Sequence, residues 1–426
     1  MNNQSSDGGS IKAHHILAGH FLKIGITLAV TAGTLSAVAV FLTAAPSAQS
    51  SSLKYKRRDN THYLSGNTSG KGSSLSSFRK KQQPADKTKL TSSRFSLKII
   101  REFPKNHSLD ADGLGAIVVN FSSPLAKHTK HPTISPKVPG KWQKTNTSFV
   151  FRPSVPILPN TVETVQVPAG IQAKKHKALQ AASTFEFATR AGSILRVDEV
   201  LSELGYLPFT FVADQPAERK SDISMADAAK YFWAPPAGTF KWNFTPPAQL
   251  AALWAPGVDN VMFQGALIAF ESDHNLAMST TLGTQDWSAL FQASLDPAAY
   301  KNPHGYDYAL AQETSPETLT VYDNGKVVLN TLANTGISLT PTSIGTFYVY
   351  EKLPYQVMKG LNPDGVPYAD PVQYVSYFDG GEAVHYIYRA EYGFPQSLGC
   401  VELPFQSAAT AYPYLTLGTL VTVSTS

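Results

Sequence analysis

"EAVHYIYRAEYGFPQSLGCVELP", Glu382 to Pro404, holds the one cysteine of a 426-residue chain. An alternating run that carries His385 gives way to turn residues at Gly393 and Pro395, and Cys400 follows in a glycine-flanked turn. A lone cysteine is by default a small buried hydrophobe. It becomes a nucleophile only as thiolate, which needs a nearby imidazole, a cation or backbone donors. His385 sits at the inner end of a predicted strand, and "AEYGFPQ" (Ala390 to Gln396) can turn the chain back so that ring and thiol meet. Ser397 would then supply a small hydroxyl donor. Gly399 would let the backbone approach a substrate, and the N–H groups of Gly399 and Cys400 are the expected oxyanion donors. These residues alone leave both readings open.

The surrounding pattern is β. "TLTVYDNGKVVLN" (Thr318 to Asn330) reads as a hairpin around Asn324-Gly325, the dipeptide suited to a type I′ turn. "IGTFYVYEK" (Ile344 to Lys352), "VQYVSYF" (Val372 to Phe378) and "GTLVTVS" (Gly418 to Ser424) are further strands. The polar, proline-bearing stretch Ala298 to Pro316 reads as the boundary before this mainly-β region, which is expected to span 317–426.

Upstream, residues 193–297 read as a small helical module. "SILRVDEVLSELGYLP" (Ser193 to Pro208) presents Val197, Val200, Leu201 and Leu204 on one face and stops at Gly205. "NVMFQGALIAFESDHNL" (Asn260 to Leu276) places Phe263, Leu267, Phe270 and His274 on a stripe behind an Asn260 N-cap. Trp287, Leu290 and Phe291 follow the same logic behind Thr284. His274 is expected at a helix end, and Phe209 to Asp259 is an insertion. Trp233 and Trp242, within it, are read as core. Before it, 93–190 carries short strands ("GAIVVNFSSPL", "TSFVFRPS", "VETVQVPAG", "STFEFAT") separated by turn residues, the spacing of a small sandwich.

The N-terminal part is different. Ile24 to Ala45 runs without a charge, long enough to span a bilayer and longer than most cleaved leaders, although "APSA" (Ala45 to Ala48) keeps cleavage open. Residues 1–23 are then a cytoplasmic N-terminus. Residues 46–92 read as a Ser-rich linker, with ten Lys/Arg against Asp59 and Asp86 between 52 and 92. The net charge of +5 therefore sits in a tether, and no basic, aromatic-interleaved fold follows that would suit nucleic acid. With 42% hydrophobic residues the rest has ample material for several cores.

"TGISLTPTSIGTFYVYEK", "VMKG", "YFDGGEAVHY", "SLGCVELP" and "LGTLVTV" occur in the order and spacing of the L,D-transpeptidase (YkuD-type) catalytic domain, which the chain resembles over roughly Glu317 to Ser424. The sandwich resembles bacterial Ig-like spacers, and the helices resemble a peptidoglycan-binding module. The expected architecture is multidomain: an N-terminal transmembrane helix, an Ig-like β-sandwich, a small α-helical wall-binding-like module and a mainly-β catalytic domain. The resemblance implies Cys400 as nucleophile, His385 as general base, and the Tyr386 backbone carbonyl orienting its ring. It implies Ser397 and Gly399 shaping the turn, and Met358 and Tyr368 near the substrate. It also implies acyl transfer between peptidoglycan stem peptides through a thioester, giving 3→3 cross-links, capture by carbapenem-type inhibitors, no metal or organic cofactor, and a site outside the cell membrane.

Three positions depart from the family. Leu398 stands where many members have His, at a position that varies. Tyr386 stands where glycine is usual, so its ring is expected to narrow the site. Glu402 stands where Arg or Asn is common, and a carboxylate there raises the thiol pKa unless it pairs with Arg389. The rival readings are a sortase, an L,D-carboxypeptidase using water, attachment to a protein lysine, and a decayed wall-binding protein. A sortase lacks support because nothing from Val401 to Ser426 is Lys or Arg. Papain-like and NlpC-type peptidases place the Cys before the His, the reverse of the order here.

Overall fold

The computed structural model describes residues 96–215 and 224–426. The apolar segment 24–45 and the linker 46–92 lie outside them. Among the described residues no helix is long and apolar enough to cross a membrane.

The first region is a two-sheet sandwich. Its strands are β1 (Ser96–Leu97), β2 (Ile99–Phe103), β3 (Ser108–Ala111), β4 (Ile117–Phe121), β5 (Thr133–Ser135), β6 (Gly140–Lys144), β7 (Ser148–Pro153), β8 (Val162–Val167), β9 (Ala178–Leu179) and β10 (Ser183–Thr189). One sheet runs β2-β4-β7-β6 and the other β3-β10-β8-β5. Alternation builds the interior: Val119 and Phe121, Phe149 and Phe151, Val165 and Val167, Phe185 and Phe187 turn inward and form one core.

The helical region comprises α1 (Ile194–Leu204), β11 (Phe209–Ala213), α2 (Met225–Lys230), β12 (Gly238–Trp242), α3 (Ala248–Ala251), α4 (Val261–Asp273) and α5 (Thr284–Leu295). Gly205 ends α1 in the left-handed region, and the Asn260 side chain accepts from the N–H groups of Met262 and Phe263. For α5 the cap is Gly283, whose N–H is held by Asp286, so Thr284 is the first helical residue rather than the cap. Within the insertion β11 and β12 form an antiparallel pair, with α2 between them in sequence, packed on the helices. Trp242 lies 4.3 Å from Phe209, and Trp233 donates to the Arg190 carbonyl, so both indoles are committed to packing.

The last region holds β13 (Asp307–Gln312), β14 (Thr318–Asp323), β15 (Lys326–Leu332), β16 (Gly345–Tyr348), β17 (Glu351–Leu361), β18 (Pro367–Asp379), β19 (Glu382–Tyr386), β20 (Val401–Leu403), α6 (Phe405–Ala411) and β21 (Leu420–Ser424). Two sheets, β15-β14-β13-β21-β16 and β17-β18-β19-β20, enclose a core of Leu319, Val321, Phe378, Val384, Val401, Leu403, Val421 and Val423. Asn324 and Gly325 both have positive φ, as a type I′ hairpin turn requires. The sheet begins at Asp307 rather than Glu317. Strand β13 escapes a propensity reading because its inward residues, Ala309 and Ala311, are poor strand formers chosen for size at the sheet centre.

The helical region is not a free-standing module. α4 is buried on two sides: Phe263, Leu267 and Phe270 join α1 and α5, while Gly265 abuts Gly418 and Leu420 of the last region. Tyr308, Leu310 and Leu420 belong to the same core as the helices. That face of α4 is therefore covered by the sheet of the last region. The closest approach is Gly418, with φ +87 and room for no side chain: a Cβ there would lie 2.2 Å from the Gly265 carbonyl oxygen. We expect Gly418→Ala to lower stability by about 2–4 kcal/mol, read as a drop in thermal midpoint. An unchanged midpoint would contradict this packing.

Candidate active site

Strands β19 and β20 are parallel neighbours, with Val384 opposite Val401, His385 opposite Glu402 and Tyr386 opposite Leu403. Side chains alternate across a sheet. Val384, Val401, Leu403 and Tyr386 face the core between the sheets. Ala383 and Cys400 face outward with Tyr350, Leu353, Met358, Val372, Val375 and Tyr377. His385 and Glu402 alternate with the inward residues and share this outer face. Thiol and imidazole are thus diagonal neighbours on one sheet surface.

The turn that delivers the thiol is held by Ser397, which is 1% exposed. Its Oγ accepts from the Gly399 N–H at 3.1 Å and donates to the Cys400 carbonyl at 2.6 Å. Gly399 has φ +117, a conformation closed to L side chains, and its missing Cβ faces Glu382. This corrects one expectation: Ser397 Oγ binds backbone rather than the thiol, and the Gly399 amide is already engaged at rest instead of standing open as an oxyanion donor. The sulfur itself lies 3.8 Å from the Gly381 carbonyl.

Behind the turn runs a buried strut. Asn334 and Glu402 exchange backbone hydrogen bonds, and the Asn334 side chain donates to Glu402 and accepts from the Gly393 N–H. Glu402 takes a two-pronged grip from Arg389, at 2.8 and 2.6 Å. The carboxylate expected to oppose a thiolate is therefore paired.

Burial sets the electrostatics. It is the main cause pushing the Cys400 thiol up to about 12, with Glu402 and Glu382 adding and an Ala383 backbone group opposing. Burial also pushes His385 below its ordinary value, against the hydrogen bond from its ring to the Tyr386 backbone. Both shifts favour the neutral forms, thiol and imidazole, over thiolate and imidazolium. Nδ1 of His385 is buried with no hydrogen-bond partner, which leaves an acceptor for the thiol proton.

The Tyr386 ring does not narrow the site. It packs edge-on against Phe405, 5.1 Å away, on the core side. Met358 joins the cluster around Cys400, and Tyr368 lies within electrostatic reach of the sulfur, its ring across Gly360. Sequence reasoning missed Tyr350 and Tyr377, which also feel the thiol and are anchored to the Gly380 carbonyl and to Gln356. The signal for Tyr377 was alternation in "VQYVSYF", and for Tyr350 alternation in "IGTFYVYEK". Among the described residues no group of three or more His, Cys, Asp or Glu could hold a metal ion.

Two outcomes follow from this geometry. Replacing Ser397 with Ala strands the Gly399 amide and the Cys400 carbonyl. We expect a cost of about 1–3 kcal/mol in thermal unfolding, together with slower modification of the thiol. Replacing Glu402 with Gln removes a charge that raises the thiol pKa and leaves Arg389 unpaired, which lowers it further. Alkylation at pH 8 should then quicken by roughly tenfold, because the thiolate fraction rises as the pKa falls; pH profiles that coincide for the two proteins would refute this.

Residues 307–423 match the family model of the L,D-transpeptidase (YkuD) catalytic domain, and residues 94–189 that of the bacterial Ig-like domain. Neither match extends over 190–306, so the wall-binding resemblance of the helical region gains no support from them. No curated protein matches the chain. Among solved structures, the catalytic domain of an Enterococcus faecium L,D-transpeptidase is 32% identical over 27% of this chain and 95% of that one, with TM-score 0.26. An L,D-transpeptidase from Mycobacterium smegmatis is 12% identical over 77% and 98%, TM-score 0.25. L,D-transpeptidase 3 from Mycobacterium tuberculosis, bearing a faropenem-derived adduct, is 13% identical over 78% and 98%, TM-score 0.25. At these TM-scores the family models carry the assignment, not the superpositions: this chain holds an L,D-transpeptidase catalytic domain behind a bacterial Ig-like domain.

Proposed function

We propose that the protein is a working L,D-transpeptidase that joins peptidoglycan stem peptides through a Cys400 thioester, forming 3→3 cross-links. The observation that supports this most is the placement of a half-buried thiol and a buried imidazole on one tyrosine-lined sheet face, within a domain of that family. His385 Nδ1 accepts the thiol proton as sulfur attacks the carbonyl before the terminal D-Ala of a stem tetrapeptide. The C–S bond forms, the C–N bond breaks, and the proton returns to the leaving amine. The thioester then passes its acyl group to an amine of a second stem.

Burial gives this order a reason. A free thiolate at rest is disfavoured by a pKa of about 12, so proton transfer and attack belong together. The Cys400 amide remains the oxyanion donor we assign, now without Gly399. The site operates outside the membrane, with Ile24 to Ala45 as anchor and the basic linker as tether. Water or a protein lysine as acceptor would keep the same first half-reaction.

The whole chain, incubated with a carbapenem and weighed intact, is expected to gain the mass of one inhibitor. Cys400→Ala should gain none, and His385→Ala should acylate at least about a hundredfold more slowly. Folded parent protein that gains no mass would leave a non-catalytic wall protein as the better reading.

A further inference from the structure

The acylated enzyme faces a choice between an amine and water, and one side chain bears on it. Asp370 stands opposite Met358 in the β17–β18 register, two positions from Tyr368, on the face that carries Cys400. It lies within electrostatic reach of His385, Arg389 and Tyr368. Only half-buried, it forms no hydrogen bond or ion pair among the described residues. The other carboxylate that bears on His385, Glu402, is bound by both prongs of Arg389 and by Asn334. Arg389 is thereby satisfied as well, and Asp370 is left as unspent negative charge beside the base.

We infer that Asp370 docks the ammonium group of the acyl acceptor, so that the site transfers its acyl group to a charged amine in preference to water. This deepens the acyl-transfer reading above and rests on it. Three physical points converge. A carboxylate attracts a protonated amine through its charge, an attraction that neutral water does not share. The same charge repels the terminal carboxylate of the donor peptide, so it belongs to the acceptor side of the thioester. And the buried, unpartnered Nδ1 of His385, on the same face, is the atom that must take a proton from an attacking nitrogen.

The step balances. The docked ammonium loses one proton to solvent and becomes an amine. Its lone pair forms the C–N bond, the C–S bond breaks, and the electron pair leaves on sulfur. The second nitrogen proton passes to His385 and from there to sulfur, restoring the thiol. Amide, free thiol and one released proton are the products.

The test forms the acyl-enzyme on the full chain from a donor tetrapeptide ending in D-Ala. It then measures the ratio of amine-captured to hydrolysed product with a lysine-bearing peptide as acceptor. Parent, Asp370→Asn and Asp370→Glu are compared, with hydroxylamine, largely uncharged at neutral pH, as a second acceptor. The expected result is a fall in the ratio of about fivefold or more in Asp370→Asn, recovery in Asp370→Glu, and no comparable fall with hydroxylamine. A ratio in Asp370→Asn within about twofold of the parent overturns the inference, as does an equal fall for both acceptors. Failure of the parent to acylate at all would instead strike the acyl-transfer reading itself.

Discussion

Parallel pairing of two short strands, β19 and β20, is the constraint on which the site rests. It brings a histidine from one end of a strand into line with a thiol that lies outside the ladder, at the end of a turn. Parallel neighbours need a crossover connection, and here the crossover is the loop from Ile387 to Gly399. Its shape is fixed from within by Ser397 and from behind by Asn334 and the Arg389–Glu402 pair. Loosening any of these moves the sulfur relative to the ring, and catalysis by oriented groups tolerates little of that.

The same arrangement explains why a thiol this deeply placed is compatible with chemistry. Burial disfavours both thiolate and imidazolium, so the two neutral forms are the stable resting state. A thiol held neutral resists adventitious oxidation, which acts on the thiolate. On the proposed mechanism, activation is deferred until a carbonyl is in place to accept the electrons. Glu402, read by itself as a defect, is the anionic half of an ion pair that braces β20.

The helical region packs against the catalytic-domain sheet. With α4 wedged against Gly418 and Leu420, the strand β21 that runs through the catalytic sheet is packed from both sides. The Ig-like sandwich keeps a core of its own, joined to the helices through Trp233 and Arg190.

Much of this was legible from the residues. Alternating strands, the Asn324-Gly325 turn, the Asn260 cap and the Gly205 stop are local physics, decided by steric and hydrogen-bonding preferences within a few positions, and the family pattern around His385 and Cys400 is linear. Strand β13 was illegible because its alanines answer to space at the sheet centre rather than to strand propensity. The partner of Glu402, the engagement of the Gly399 amide, the direction of the Tyr386 ring and the covered face of α4 depend on residues far apart in the chain. Which side chains meet across sheets and domains is set by packing, a many-body outcome that no local preference contains. Sequence determined the elements and pointed to the candidate thiol and imidazole; tertiary structure decided their neighbours, and through burial and charge those neighbours set the chemistry open to them.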